Sequence, residues 1–558
     1  MKEQLRTALL KALAAAQKAG DLPGGEDIPD FVIERPKQAE HGDLAANLAL
    51  QLARPLKMNP RAIAQALVQH LGDAGGLLDK AEIAGPGFIN FFLKPGAWLA
   101  ALPRIMEQGR DYGRGDWGGG VPVLVEFVSA NPTGPLHVGH GRGAVLGDVL
   151  ARLLAFSGFA VTTEYYINDA GNQMATLGRS VLIRARQLRP LHNTREPFPE
   201  NHYRGAYIKD LAADILEAEG EDFLALPEDE AVALAAEKAA QSILAGIEDD
   251  LAAFGVRFDR WFSERSLVEA GAVEDAFRDL QERDLLYQEE GALWFRATRF
   301  GDEKDRVVRR SNGETTYFAS DIAYHRDKLA RGFKRLIDVW GADHHGYVPR
   351  LKAAVAALGQ DPESLEVVLV QMVNLLRGGQ PVAMSTRGGE FVTLRQVIDE
   401  VGADSARFIF LTRRSDSPLD FDLEVAKAQS MDNPVYYVQY AHTRVCSILR
   451  KAAESGVELP QPRQVDLARL ELEEEVALAR LLSEYPEQVR GAAQALEPHR
   501  ITYYLQELAG RFHSYYNAHR VLGQGQGLTA ARLLLVQAVG AVLAGGLELL
   551  GVSAPEVM

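Results

Sequence analysis

The chain has 558 residues, 47% of them hydrophobic, enough to build several domains with substantial cores. Sixty Lys and Arg against 76 Asp and Glu give a formal charge of −16, which excludes a protein coated in positive charge for nonspecific nucleic-acid binding. A single cysteine, Cys446, excludes an intrachain disulfide and a Cys-based zinc cluster; no run approaches the roughly 20 apolar residues of a membrane helix, so a cytoplasmic protein with no membrane partner is expected.

Residues 1–112 read as a separate α+β domain, with an Ala/Leu helix first, a Gly/Pro turn, further helix, and the strand-like run AEIAGPGFINFFL. Within it, Pro36-Lys37 and His41-Gly42-Asp43 precede a helical Leu44, Leu48, Leu52 face, and Asp43 is placed to cap that helix.

Val121 to Gly143 is the most informative stretch. The β-branched run Val121 to Val128 suits a strand buried on both faces, and Pro132, Gly134 and Pro135 end it. Helical spacing then begins at Val145 and Leu146. His137 and His140 therefore sit where a helix starts at the carboxyl end of a strand, a position whose free N–H groups favour phosphate. Gly139 between them lets a nucleotide approach the backbone.

A second strand is expected over Ala160–Ile167, followed by a long, mostly helical insertion from about 174 to 290. Strand character resumes at Leu293–Thr298. It continues through Thr315–Asp321 with a helix after it, Arg335–Trp340 ending in Gly341, and Leu365–Asn374. From residue 402 onward the spacing is helical, an all-α bundle over 402–558. Its Tyr436, Tyr440, His442, Arg444, Asn517 and Arg520 could stack on and neutralise single-stranded RNA, although aromatic stripes at that spacing are more often core. Basic clusters at 179–189, 326–334 and 444–451 suit either an RNA groove or a solvated helix face.

Pro132, Gly134, Leu136, His137, Gly139 and His140 together resemble the first signature of class I aminoacyl-tRNA synthetases, and Glu126 to Asn131 before them is similar to the arginyl-tRNA synthetases. The PK-x-x-x-HGD-x-x-x-N pattern, NPVYYVQYAH and the terminal LGVSAPEVM resemble the same family, so that nearly the whole chain follows its order. The resemblance implies a Rossmann-like parallel-sheet catalytic domain over 113–401, an N-terminal domain that touches the D-loop corner of tRNA, and a C-terminal anticodon-binding bundle. The implied reactants are L-arginine, ATP with Mg²⁺ and tRNA(Arg), with no permanent cofactor and no protein-held metal; the expected state is a monomer.

On the family pattern ATP meets Pro132, Gly134, His137, Gly139, His140, Gly341 and Met384, and catalysis falls to His137, His140, Ser385 and Arg387. Arginine would be held by Glu126, Asn131 and His137 at its amino-acid end and by Tyr317, Asp321 and Asp343 around the guanidinium. The second signature departs from the family: Ala383-Met384-Ser385-Thr386-Arg387 lacks both lysines, which makes Arg387 the candidate cation. Asp343-His344-His345 also resembles the triplet of the DHH phosphoesterases, but the further Asp/His ligands such a site needs are missing from the sequence. A non-catalytic RNA-binding relative fails to explain the intact histidine pair, and a small HxGH nucleotidyltransferase fails to explain the C-terminal bundle.

Overall fold

The computed structural model describes residues 1–24, 27–189, 198–382 and 392–558. These form two compact units: Met1–Tyr112 with Val445–Glu484 and Gly510–Val542, and Gly113–Arg444 with Tyr485–Ala509 and Leu543–Met558.

The second unit is built on a five-stranded parallel sheet. Its strands are β1 (Pro122–Glu126), β2 (Ala160–Ile167), β3 (Arg260–Ser263), β4 (Arg335–Gly341) and β5 (Leu365–Val370), in spatial order β5-β4-β1-β2-β3. The order reverses between β1 and β4, which opens a crevice at their carboxyl ends, the ligand-binding place of a doubly wound sheet. Helix α1 (Val138–Phe156) follows β1 and is buried along nearly its whole length. Gly147 lets it press on the sheet: a Cβ there would lie 2.1 Å from Phe127 Cγ, so Gly147→Ala would overpack the contact by about 1–3 kcal/mol or more. On the other face lies α2 (Tyr317–Ala330), whose Phe318, Ile322 and Ala323 join Leu124, Leu336, Phe277 and Leu351 in one core.

Several expectations change. The stretch read as a helical insertion contains β3, a four-residue strand whose charged first residue and short length hid it among helices. Leu293–Thr298 gives strand Ala292–Phe295, but in an antiparallel three-stranded sheet with Leu286–Glu289 and Arg306–Arg309. The single run Leu365–Asn374 breaks at Gln371 into β5 and a separate strand, Val373–Arg377, which pairs with Gln380–Pro381 and Leu419–Asp422. Arg142 on α1 takes the Gln371 carbonyl at 2.8 Å, so the chain turns where a side chain removes a ladder acceptor.

In the first unit, Leu78–Ala84 and Phe88–Leu93 form the hairpin of a four-stranded antiparallel sheet with Leu44–Ala46 and Ile33–Glu34. Leu44–Ala46 is a strand rather than the helix read from its leucines. Asp43 caps no helix: Oδ2 accepts the Leu93 N–H at 2.8 Å and Oδ1 pairs with Arg480 at 2.7 Å. Helix Gln526–Leu549 is, against the composition reading, long and apolar enough to cross a membrane by length and composition; it is mostly buried, as a core helix must be.

Candidate active site

The loop leaving β1 is strained. Val128 and Ser129 have φ of 66° and 41°, a left-handed backbone that costs a β-branched residue at least about 1 kcal/mol. Ser129 holds it there: Oγ donates to Glu126 Oε1 at 3.0 Å and accepts the Tyr166 N–H of β2 at 3.1 Å. Tyr165 donates to the Ala130 carbonyl at 2.8 Å and Tyr207 to that of Thr133 at 2.7 Å, with Gly134 leaving room for the Tyr207 hydroxyl. Asn131 lies between these fixed points, half-buried, before the buried Pro132.

His137 ends the loop as N-cap of α1. Its Nδ1 accepts the Gly139 N–H at 3.1 Å, and His140 Nδ1 accepts the His137 N–H at 3.2 Å, a reciprocal cap built from imidazoles. A Cβ at 139 would stand 3.0 Å from the His137 ring, so glycine there lets the ring fold back. With Nδ1 accepting, each neutral ring carries its proton on Nε2. Burial lowers the pKa of both, and with the neighbouring His137 it takes His140 down to about 3. The pair therefore offers neutral N–H donors at a helix N-terminus.

Beneath the loop, one row across the sheet carries charge: Asp338 (β4), Glu126 (β1), Glu164 (β2) and Arg260 (β3) are register partners on the face under α2. Helix α2 answers each carboxylate. Lys328 Nζ donates to Glu126 Oε2 at 2.5 Å and Asp338 Oδ1 at 2.9 Å, His325 Nε2 lies 3.2 Å from Asp338 Oδ2, and Tyr324 donates to Glu164 at 2.6 Å. Arg331, just past the helix, grips Glu164 bidentately at 2.6 and 2.8 Å. Burial alone would raise Asp338, but Lys328 and His325 outweigh it and hold the carboxyl down at about 2; Glu126 is pushed up, chiefly by burial. Glu126 is thus occupied on both oxygens, by Lys328 and Ser129.

Past this row is a second acidic group with no such answer. Asp321 does not end a strand, as the run Thr315–Asp321 suggests: the helix already begins at Tyr317, and Asp321, in its second turn, accepts the Tyr347 hydroxyl. Glu264, the first residue after β3, is buried with Oε2 lacking a hydrogen-bond partner. Asp169 accepts Ser263 Oγ at 2.6 Å and the Arg265 N–H at 3.0 Å. Burial pushes Asp321 and Glu264 up, and the field of Glu264, Asp321, Glu126 and Asp169 joins burial in raising the Tyr166 phenol far above its usual range. No Lys or Arg hydrogen-bonds the Asp321 or Glu264 carboxyl among the described residues, although the Lys328 charge acts on Asp321 and the Arg265 guanidinium donates to the Asp169 carbonyl at 3.3 Å. Tyr317 opens α2 at 56% exposure, its hydroxyl 3.8 Å from where a Cβ on Gly171 would lie. Asp343 stands apart, 81% exposed beside His344, with Oδ1 folded over Gly341 at the end of β4.

Glu264 and Tyr347 were not picked out from sequence. Glu264 carried a usable signal, an acidic residue at a strand end, but the strand was unseen; Tyr347 carried none.

Met384, Ser385 and Arg387 lie outside the described residues. Both flanks are fixed, the second of them on the first signature. Val382 N–H donates to Leu375 O at 2.9 Å; Thr393 bridges to His137, and Leu394 N–H donates to Leu136 O at 2.8 Å. Arg142, 1% exposed, gives its guanidinium to the carbonyls of Gln371, Arg414 and Ser417 at 2.8–2.9 Å.

Of the residues read as RNA-binding, Tyr436 and Tyr440 stack at 5.8 Å with the Arg444 guanidinium 4.6 Å above Tyr440, one stripe of helix Pro434–Glu454. His442 points elsewhere, buried with Nδ1 2.9 Å from the Pro555 carbonyl. Asn517 and Arg520, in the other unit, are exposed, and Arg532 donates to the Arg520 carbonyl at 2.8 Å.

Family models match in the order the sequence suggested: an arginyl tRNA synthetase N-terminal domain over residues 3–93, the catalytic domain of tRNA synthetases class I (R) over 102–428, and a DALR anticodon binding domain over 438–558. The chain is 58% identical to the arginine–tRNA ligase of Syntrophotalea carbinolica over 558 residues and 58% identical to that of Desulfosudis oleivorans over 562, covering 100% of each chain in both cases. The solved arginyl-tRNA synthetase of Thermus thermophilus superposes with a TM-score of 0.75 at 28% identity, covering 99% of this chain and 100% of that one. With a paired-histidine helix start at the switch point of a parallel sheet, an acidic pocket beside it and these matches over its full length, the chain belongs to the class I arginyl-tRNA synthetase family, the arginine–tRNA ligases.

Proposed function

We propose that this site joins arginine to ATP as arginyl-adenylate and then passes the arginyl group to the 3′ end of tRNA(Arg). The observation that carries the reading is the acidic pair of half-buried Asp321 and buried Glu264, neither hydrogen-bonded to a Lys or Arg among the described residues, together with the neutral donor pair His137 and His140. A guanidinium presents planar paired donors that suit carboxylate oxygens, with Tyr317 along its face. Asn131 and the strained Ser129 loop receive the amino-acid end. Glu126 contributes from behind, through Ser129, since Lys328 takes its other oxygen.

An arginine carboxylate oxygen attacks the α-phosphorus, the bond to pyrophosphate breaks, and His137 and His140 Nε2–H with the α1 N-terminus stabilise charge on the phosphate oxygens. A ribose hydroxyl of tRNA then attacks the acyl carbon and AMP leaves. Mg²⁺ arrives with ATP and spreads the phosphate charge; among the described residues no three His, Cys, Asp or Glu gather to hold a metal. Arg387 supplies the cation of the second signature, with Met384 and Ser385 placing it. Residues 1–112 meet the D-loop corner, 113–401 carry the chemistry, and 402–558 read the anticodon through the Tyr436, Tyr440 and Arg444 stripe and through Asn517 and Arg520. The enzyme works as a cytoplasmic monomer.

ATP–pyrophosphate exchange with each of the twenty amino acids, with and without tRNA, tests this: exchange is expected with arginine, and exchange driven by another amino acid overturns it.

A further inference from the structure

We propose that Lys328 is a positioning residue that sets the length of the amino-acid pocket, and so the length of side chain the enzyme accepts. The inference rests on the arginine reading above. Asp321, His325 and Lys328 form one stripe of α2, spaced four and three residues apart, so the helix that offers Asp321 to the far end of the substrate is tied to the sheet by the residues below it. Lys328 is fully buried, and its ammonium touches β1 and β4 at the same level, through Glu126 and Asp338. The other Glu126 oxygen holds Ser129, whose left-handed backbone starts the loop expected to receive the amino-acid end.

One chain of bonds therefore joins the two ends of the pocket: Asp321 along the rigid helix to Lys328, Lys328 to Glu126, Glu126 to Ser129. His325 fastens the middle, its two ring nitrogens 2.9 Å from the Asp321 carbonyl and 3.2 Å from Asp338. No solvent reaches the ammonium, so the distance is set by side-chain lengths.

The test compares arginine with guanidino homologues one methylene shorter and one longer, as kcat/KM in tRNA-supplemented ATP–pyrophosphate exchange. Wild type should prefer arginine by about 10-fold or more over each. Lys328→Met should lower kcat/KM for arginine about 10²-fold, as an ångström of misplacement does, and bring the three substrates within a few-fold of one another. Because that variant leaves two buried carboxylates facing each other, Lys328→Met/Asp338→Asn, with the net charge of the triad unchanged, and Lys328→Arg, which keeps the cation on a longer stem, are measured beside it. Lys328→Arg should move the preference toward one homologue. If the variants that fold lose activity equally on all three substrates, the length-setting role is overturned; if wild type does not activate arginine, it is the arginine reading that fails.

Discussion

His140 Nδ1 accepts the backbone N–H of His137, 3.2 Å away, while the two rings stack with centroids 3.7 Å apart. Each ring closes one of the open N–H groups of α1 through Nδ1 and by doing so keeps its proton on Nε2. One residue thus does two jobs. His140→Ala should reduce adenylate formation about 10²- to 10³-fold, as the loss of one oxyanion donor does, and cost about 1 kcal/mol of stability as a lost cap. Single-turnover adenylate formation and urea unfolding separate the two effects; a wild-type rate in a folded variant would remove His140 from the chemistry.

The same burial makes a pH prediction. His140, held near 3, stays neutral in the folded enzyme, whereas in the unfolded chain it protonates near 6.5. Between those values the unfolded state binds the extra proton, so this contribution to stability is full above about pH 6.5 and is lost as pH falls toward 3, on the order of 1 kcal/mol per pH unit. Urea midpoints at pH 7.5, 6.5 and 5.5 should fall more steeply in wild type than in His140→Asn, which cannot titrate. Parallel slopes would show that the imidazole is not held neutral.

For the pocket, Asp321→Asn and Glu264→Gln should each weaken arginine binding by roughly 2 kcal/mol or more, about 30-fold, while the KM for ATP changes little. A charge-assisted bond is lost in each case, and the remaining carboxyl sheds a like charge that had raised its pKa. An unchanged KM for arginine in both would send the guanidinium elsewhere, with Asp343 next in line.

Much of this was legible in the chain. The β1 loop and α1 could be placed because β-branched run, Pro/Gly loop and helical spacing each point the same way within 34 residues, Val121 to Leu154. What stayed hidden depends on register. Glu126, Glu164 and Asp338 are far apart in sequence, and only strand pairing puts them in one row under Lys328. Glu126 illustrates the limit: a carboxylate at a strand end suggests a substrate ligand, but a lysine 202 residues away already occupies it. Asp43 does too, since its partner Arg480 comes from the other end of the chain.

That last pair changes what truncation should do. Residues 1–112 share a compact unit with Val445–Glu484, through Asp43 with Arg480, Glu107 with Arg463 and the Tyr112 hydroxyl on the Leu482 carbonyl. Deleting 1–110 should therefore loosen the C-terminal helices as well as weaken tRNA charging. Hydrogen exchange over 445–484 should rise by an order of magnitude or more in the truncated enzyme while the parallel sheet stays protected. Unchanged protection there would show that the N-terminal residues are dispensable to those helices.

The final prediction concerns the cation of the second signature. Two arginines near it compete for the role, Arg377 before the segment and Arg387 within it. Arg377 is already committed: its guanidinium meets Glu400 at 2.6 and 3.0 Å and Glu424 at 3.1 Å. Moving to a phosphate would strip both carboxylates of a partner. Arg387 lies between two fixed flanks, Val382 on Leu375 of the strand Val373–Arg377 and Thr393 on His137, and the second of these touches the first signature. If it meets the β- and γ-phosphates as pyrophosphate departs, Arg387→Ala should lower the activation rate by 10²-fold or more and ATP affinity only a few-fold, because the contact strengthens toward the transition state. Lysine at position 383 in that background, Ala383→Lys, should recover part of the rate, since a flexible ammonium reaches the same oxygens without bidentate geometry. Arg377→Gln serves as the contrast and should leave activation near wild type. Pre-steady-state adenylate formation in the three variants decides: a wild-type rate in Arg387→Ala together with a collapse in Arg377→Gln would reverse the assignment and mean that Arg377 leaves Glu400 during the reaction.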